Sequence, residues 1–264
     1  MRPTERRLGV FHVRENFLYL ISFAQVAAQN GIDETGLGAV AGVLGLLNGF
    51  VDGGVRRNAV EPENLVEAQA QKILERRALL APALLGAQPG ETVWDMCAAP
   101  GGKTTFIAQQ MNNTGKIIAS DIEPNRLKLV RENGARLGVS CVEAVVSSTI
   151  NSQTETQFDR ILIDAPCSNT GVVRRRVDLR WRISPEEILR LQKTQLELLQ
   201  QAAIKLKPTG ILVYSTCSLE PEENSEVVKQ FLADNAEFTL KTERQLLPFT
   251  DGVDGAFVAK FQRK

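Results

Sequence analysis

Two cysteines occupy short polar loops that each follow an apolar run. DAPCSNTG opens at Asp164, directly after ILI, and carries Cys167; YSTCSLEPEEN follows ILV and carries Cys217. A cysteine attacks through its thiolate, and a reference pKa of about 8.5 leaves it largely protonated near neutrality, so positive charge or oriented donors must favour the anion. The chain holds one histidine, His12, and four cysteines, Cys97, Cys141, Cys167 and Cys217, with no C-x-x-C pair among them. The usual histidine-based metal and triad chemistries are thereby removed, and an active cysteine must find another base. A buried structural cysteine is the plain alternative for either one alone. Two such loops in similar positions favour a paired function.

A glycine loop lies ahead of them. AAPGGKTT follows the run ending at Cys97; Gly101 and Gly102 permit tight turns and close ligand approach, and the next helix begins with free amides. Asp121 ends the following apolar run 19 residues after Gly102, where a carboxylate can accept both ribose hydroxyls of an adenosine-containing cofactor. A glycine turn before a helix also occurs without a ligand, so the pairing with Asp121 carries the reading. GGKTT is similar to a phosphate loop too. That loop requires a glycine where Cys97 stands, which leaves ATP hydrolysis as a remote alternative.

The positioning elements are legible in the pattern. ETVWDMC, KIIASD, CVEAVV, FDRILID, GILVYS and AFVAKF read as strands; Lys103 to Met111, Pro124 to Leu137, Pro185 to Lys207 and ENSEVVKQFLAD read as helices. This alternation predicts an α/β fold, its largely parallel sheet covered by helices on both faces. Active sites of such sheets collect beyond the carboxyl ends of the strands, where both cysteine loops fall. Residues 1–60 read as a small helical region and 61–90 as a shortened linker with a helix from about Leu65 to Leu85, leaving 91–264 as the main domain.

With 264 residues, 43% of them hydrophobic, the chain can bury a core without metal or disulfide staples. Lys+Arg 31 against Asp+Glu 31 gives no whole-protein field toward nucleic acid, so charge placement matters more than its sum. The charged start MRPTERR leads into no uninterrupted secretory segment, and no apolar run is long enough to span a membrane. A cytoplasmic protein without membrane partners is the expectation.

CAAPGGKTT, the DAPCS loop, RRRVDLRWR and STCSLEPEEN together resemble the signature blocks of the Sun/Fmu-type RNA (cytosine-5) methyltransferases, over about Val93 to Lys264. GFVDGGVRR, at Gly49 to Arg57, resembles the end of the NusB-like helical domain of the bacterial 16S rRNA members. The resemblance implies a Rossmann-like class I methyltransferase sheet completed by AFVAKF as an antiparallel strand. It also implies S-adenosylmethionine as cofactor and RNA, with ribosomal RNA foremost, as substrate, giving 5-methylcytosine.

By the same likeness Cys217 is the nucleophile, and Cys167 assists later proton removal and release of the product. Asp164 reaches the polar edge of cytosine near N3 and stands to face both substrates; its plain alternative is a strand-end cap. Cys97, Ala98, Ala99, Pro100, Gly101, Gly102 and Lys103 surround the amino-acid part of the cofactor, Asp121 the ribose, and Arg126 the same pocket. CVEAVVSST has no equivalent of the family's acidic residue near adenine, Ser147 and Ser148 taking its place.

Arg174, Arg175, Arg176, Arg180 and Arg182, interleaved with Trp181, are expected to bind RNA by phosphate pairing and base stacking, the alternative being a solvated loop with Trp181 packed inward. A cytosine in a regular stack is inaccessible, so an extruded base is expected. Glu220, Glu222 and Glu223 read as a helix cap or charged network, with Asn224 starting the helix, and Cys141 as buried packing. Asn169 stands where most relatives have glycine, and it tolerates a left-handed turn. Only Asn58 to Gly90 remains for the small RNA-binding domain of the relatives, which implies altered RNA selection, a truncated chain, or help from another protein or RNA surface. A rival function is an RNA-binding or ribosome-assembly module on a methyltransferase scaffold.

Overall fold

The computed structural model describes residues 79–150 and 155–264, and of Arg180 the backbone alone. The helical region 1–60, most of the linker and helix up to Leu85, and the arm bearing His12 lie outside the described residues. Those that follow form β1 (Thr92–Asp95), α1 (Gly102–Gln110), β2 (Lys116–Asp121), α2 (Pro124–Arg136), β3 (Val142–Val146), β4 (Phe158–Asp164), α3 (Pro185–Lys205), β5 (Leu206–Thr216), α4 (Ser225–Asp234), β6 (Phe238–Leu246), a short α5 (Pro248–Asp251) and β7 (Ala256–Arg263).

The strands make one sheet in the order β3-β2-β1-β4-β5-β7-β6. The first five are parallel, and β7 enters between β5 and β6 antiparallel to both. This is the Rossmann-like class I methyltransferase sheet, including the expected antiparallel AFVAKF. Its order reverses between β1 and β4, the switch point at which open α/β sheets bind ligands.

Sequence pattern explains the layers. Along β4 and β5, Ile161, Ile163, Leu212 and Tyr214 alternate onto one face, where they pack with Leu199 and Ala202 of α3 and Val227 and Phe231 of α4. On the other face Ala119 meets Leu127 and Val130 of α2. Helix α3 starts at Ser184, whose hydroxyl accepts a hydrogen bond from the Glu187 amide, with Pro185 next. It ends two residues before the expected Lys207, because Pro208 disfavours helical geometry at its predecessor.

Strand β6 escaped the sequence reading. FTLKTERQL carries no apolar run, and as the sheet's edge strand it exposes much of its charged length. Cys141 is also corrected: it is half-buried rather than buried, because it leads into β3, the opposite edge.

Phe231 is fully buried, with edge-on contacts to Phe238 at 5.0 Å and Phe261 at 5.1 Å. Phe231→Ala is expected to lower unfolding free energy by about 3–5 kcal/mol, as urea denaturation would measure.

Candidate active site

At the end of β1 the chain turns through Cys97 into the glycine loop. Gly101 has φ +105° and precedes α1; a Cβ there would stand 3.0 Å from the Val130 Cα, so this glycine serves both a left-handed turn and close packing on α2. Gly102 is already helical and exposed, with open space where a side chain would be. Asp121, at the end of β2, is 3% exposed, and its carboxylate accepts from the amides of Ala99 (3.3 Å) and Glu123 (3.1 Å). Arg126 pairs with it at 3.4 Å and donates to the Ala99 carbonyl at 3.0 Å, so β2, α2 and the glycine loop are tied at one point.

A cavity of about 760 Å³ opens along this edge of the sheet. Cys97, Ala99, Asp121 and Arg126 line one end, and Asp164, Cys167 and Cys217 the other. Ser147 and Ser148 line it in a short 3₁₀ turn after β3, beside Ile122 and Ile150, so hydroxyl and apolar groups stand where an acidic residue was absent from the sequence. Of the residues singled out in the glycine loop, Ala98, Pro100, Gly101, Gly102 and Lys103 do not line it. Lys103 instead borders a small adjoining hollow with Asp164 and Cys217.

Register decides how the cysteines meet. Asp164 pairs with Ser215 across β4 and β5, so the loops after those strands leave side by side. The Cys217 amide donates to the Cys167 Sγ at 3.2 Å. Asp164 accepts from Lys103 Nζ at 2.6 Å and from the Ser215 hydroxyl at 2.8 Å. Asn169 is left-handed at φ 60°, as its residue type allows, and its side-chain amide donates to the Cys167 carbonyl at 2.7 Å. Gly171 donates its amide to the Cys217 carbonyl at 2.9 Å, and a Cβ on it would stand 2.5 Å from the Gly255 carbonyl oxygen; only glycine fits between.

Several supporting residues were missed in the sequence. Glu223 is fully buried, and its carboxylate accepts from the Ser168 amide (2.9 Å), the Ser218 hydroxyl (2.5 Å), the Gln195 amide (3.1 Å) and the Ser168 hydroxyl. The expected charged network is therefore one carboxylate among neutral donors. Asn224 stands at the start of α4 without capping it: its side chain accepts from the Thr216 hydroxyl at 2.7 Å and donates to the Ser218 carbonyl at 3.0 Å, gripping both neighbours of Cys217. No pattern in PEEN distinguishes these roles from a helix start, since Glu223 meets Ser168 and Gln195 from distant segments and Asn224 turns back onto its own loop.

Protonation follows burial and neighbours. The Cys167 thiol is held well above its ordinary pKa by its side-chain hydrogen bond with Cys217, then by burial and the charges of Cys217 and Glu223. Burial, with Asp95, Asp164 and Asp121 nearby, also keeps Cys97 a neutral thiol. Burial opposes the charge on Lys103, but Asp164, Cys217 and Asp95 outweigh it and raise its pKa, so a cation stands beside Cys217. Asp95, beneath α1, is raised to about 6 by burial despite a hydrogen bond from the Thr104 hydroxyl at 2.7 Å.

The arginine segment divides. Arg174 and Arg175 pair with the fully buried Asp254 at 2.5 and 2.9 Å, which anchors the segment to the turn before β7 while leaving both guanidiniums partly exposed. Arg176 and Arg182 are exposed, the latter 3.8 Å from Asp178. Trp181 is 88% exposed, which removes the inward-packed alternative. The Arg180 side chain lies outside the described residues.

A family model described as 16S rRNA methyltransferase RsmB/F matches residues 82–262. The chain belongs to this family. The probable ribosomal RNA small subunit methyltransferase B of Bacillus subtilis is 36% identical over 73% of this chain and 47% of its own length. The ribosomal RNA small subunit methyltransferase B of Serratia proteamaculans is 37% identical over 94% of this chain and 57% of its own. The chain thus spans about half the length of the curated relatives it matches. Among solved structures, a methyltransferase homolog from Pyrococcus horikoshii is 38% identical (TM-score 0.64, covering 71% of this chain and 66% of that one). NSun6 from the same organism is 32% identical (TM-score 0.65, covering 71% and 51%).

Within this RsmB/F fold, Asp95 makes stability depend on pH. Its folded pKa lies above the unfolded value of 3.8, so its stabilising contribution is full below about pH 4 and is lost as pH rises through 6. Asp95→Asn keeps an acceptor for Thr104 and lacks the buried charge. Between about pH 4 and pH 7.5 the unfolding free energy of this variant is expected to gain on the parent by up to about 3 kcal/mol, measured by denaturant titration at each pH.

Proposed function

We propose that the chain transfers a methyl group from S-adenosylmethionine to C5 of cytosine in RNA, ribosomal RNA being the favoured substrate, through a covalent adduct of Cys217 with C6. The observation that carries this reading is the meeting of two thiols, from loops after adjacent parallel strands, at one end of a cavity whose other end holds a buried carboxylate. The cavity volume suits a nucleoside-sized ligand. Asp121 would take the ribose, and Cys97, Ala99 and Arg126 the remainder of that end, with Ser147, Ser148 and Ile122 toward the base. When bound there, the cofactor supplies an electrophilic methyl group to C5.

The protein's own residues account for the other steps. Lys103, held charged by Asp164, favours the Cys217 thiolate, which bonds to C6 while the ring's π electrons move toward N3 and O2, activating C5. With N3 protonated from solvent as those electrons arrive, the Asp164 carboxylate, oriented by Lys103 and Ser215, would accept the N3–H hydrogen bond and so stabilise the adduct. The strongest influence keeping Cys167 protonated is Cys217 itself. Once Cys217 is a thioether that influence is gone, and Cys167, its own proton passed to solvent, can take the C5 proton while the C5–H electron pair forms the C5–C6 double bond and expels Cys217 as thiolate.

Trp181 and the arginines after Cys167 present an exposed plane with cations along one segment, which supports stacking and phosphate contact with single-stranded or remodelled RNA. A helper protein or RNA surface supplying further contacts belongs to the same proposal.

With labelled S-adenosylmethionine and total RNA, modified cytosines should map to RNA; label confined to protein, DNA or small molecules would overturn the reading. Cys217→Ala should abolish both methyl transfer and denaturant-resistant RNA adducts while sparing cofactor binding, whereas Cys167→Ala should accumulate adduct. Equal adduct in the two variants would reverse the assignment. Trp181→Ala should raise the KM for RNA by roughly tenfold, about the loss of one stacked base, with cofactor affinity unchanged.

A further inference from the structure

Cys167 and Cys217 are each followed by a serine, and both serines bind the same buried carboxylate. Glu223 accepts from the amide and hydroxyl of Ser168 and from the hydroxyl of Ser218, and the two hydroxyls stand 3.1 Å apart. Gln195 of α3 completes the cluster by donating from one amide nitrogen to Glu223 at 3.1 Å and to the Pro166 carbonyl, one residue before Cys167, at 2.9 Å. From beneath, the Tyr214 hydroxyl donates to the Glu223 carbonyl at 2.6 Å. Glu223 and Gln195 are 0% exposed, and no described lysine or arginine forms an ion pair with Glu223.

A carboxylate buried without a cation is costly unless several donors satisfy it, so a staple needing only to join two loops would be more stable built from neutral groups. Glu223 contributes what those cannot: at least four acceptor directions on one rigid group, and a negative charge behind the thiols. Its distance from the reaction is one residue on either side, so it acts through the loops.

We propose that Glu223 is the positioning residue of the cysteine pair, holding the two thiol loops in one geometry through Ser168 and Ser218 and disfavouring premature ionisation of Cys167. The kinetic part of this inference rests on the adduct mechanism above; the charge effect on Cys167 does not.

The charge effect is read by iodoacetamide alkylation of the whole protein from about pH 6 to about pH 10, each cysteine being followed by peptide mass spectrometry. Glu223→Gln keeps the volume and removes the charge; Cys167 should become alkylated at lower pH, roughly threefold faster near pH 8. Glu223→Asp keeps the charge and should retain the parent profile. An unmoved Cys167 profile in Glu223→Gln, or equal displacement in both variants, would overturn the charge role.

Positioning is read from turnover. Glu223→Gln should lower kcat by about tenfold or more, the worth of one hydrogen bond to a charged group, while KM for cofactor and RNA stays within about twofold. Ser218→Ala should chiefly slow adduct formation and Ser168→Ala chiefly its resolution, and these two variants carry the test if Glu223→Gln does not fold. Parent-like rates for both steps in the serine variants, or a kcat loss matched by weakened cofactor binding, would defeat the positioning role. A parent protein that forms no RNA adduct would defeat the mechanism instead, leaving the alkylation profiles to decide the charge effect.

Discussion

The parallel register of β4 against β5 is the constraint on which the site depends. Because Asp164 lies opposite Ser215, the loops that follow emerge together, and residues 50 positions apart in the chain come within hydrogen-bond distance. A one-residue slip would turn every side chain of one strand to the other face of the sheet. Burial on both faces resists that slip: Ile161, Leu162, Ile163, Leu212, Val213 and Tyr214 are all fully buried. The apolar content of two short runs thus sets the separation of two thiols.

Around that register the interior holds its charges unevenly. Asp164 has Lys103, Asp121 has Arg126, and Asp254 has two arginines, whereas Glu223 has only neutral donors. Each arrangement suits its place. An ion pair at Asp164 keeps a cation near Cys217, and the arginines on Asp254 anchor a segment that is itself partly exposed. The neutral cluster at Glu223 leaves its charge uncancelled near Cys167.

Charge in this chain is placed rather than summed. Net charge governs the distant field, whereas the segment following Cys167 gathers arginines and an exposed tryptophan into a local patch. The antiparallel β7 takes part in this: Gly255, just before it, packs on Gly171, and Asp254 holds Arg174 and Arg175. The last strand thereby supports both the Cys167 loop and the arginine segment that follows it.

Sequence by itself determined the α/β class, the strands of the parallel core, the glycine loop with Asp121 and the two cysteine loops, because apolar runs and turn residues are local signals. It did not disclose β6, whose polar edge lacks a period strong enough to read, nor the exposure of Trp181, which depends on what packs beside it. Glu223, Asn224, Gln195 and Asp254 were decided only by tertiary structure. Glu223, Gln195 and Asp254 bond to segments brought near by folding and Asn224 turns back onto its own loop, and a carboxylate or amide in a row of polar residues carries no mark of the partner it will meet.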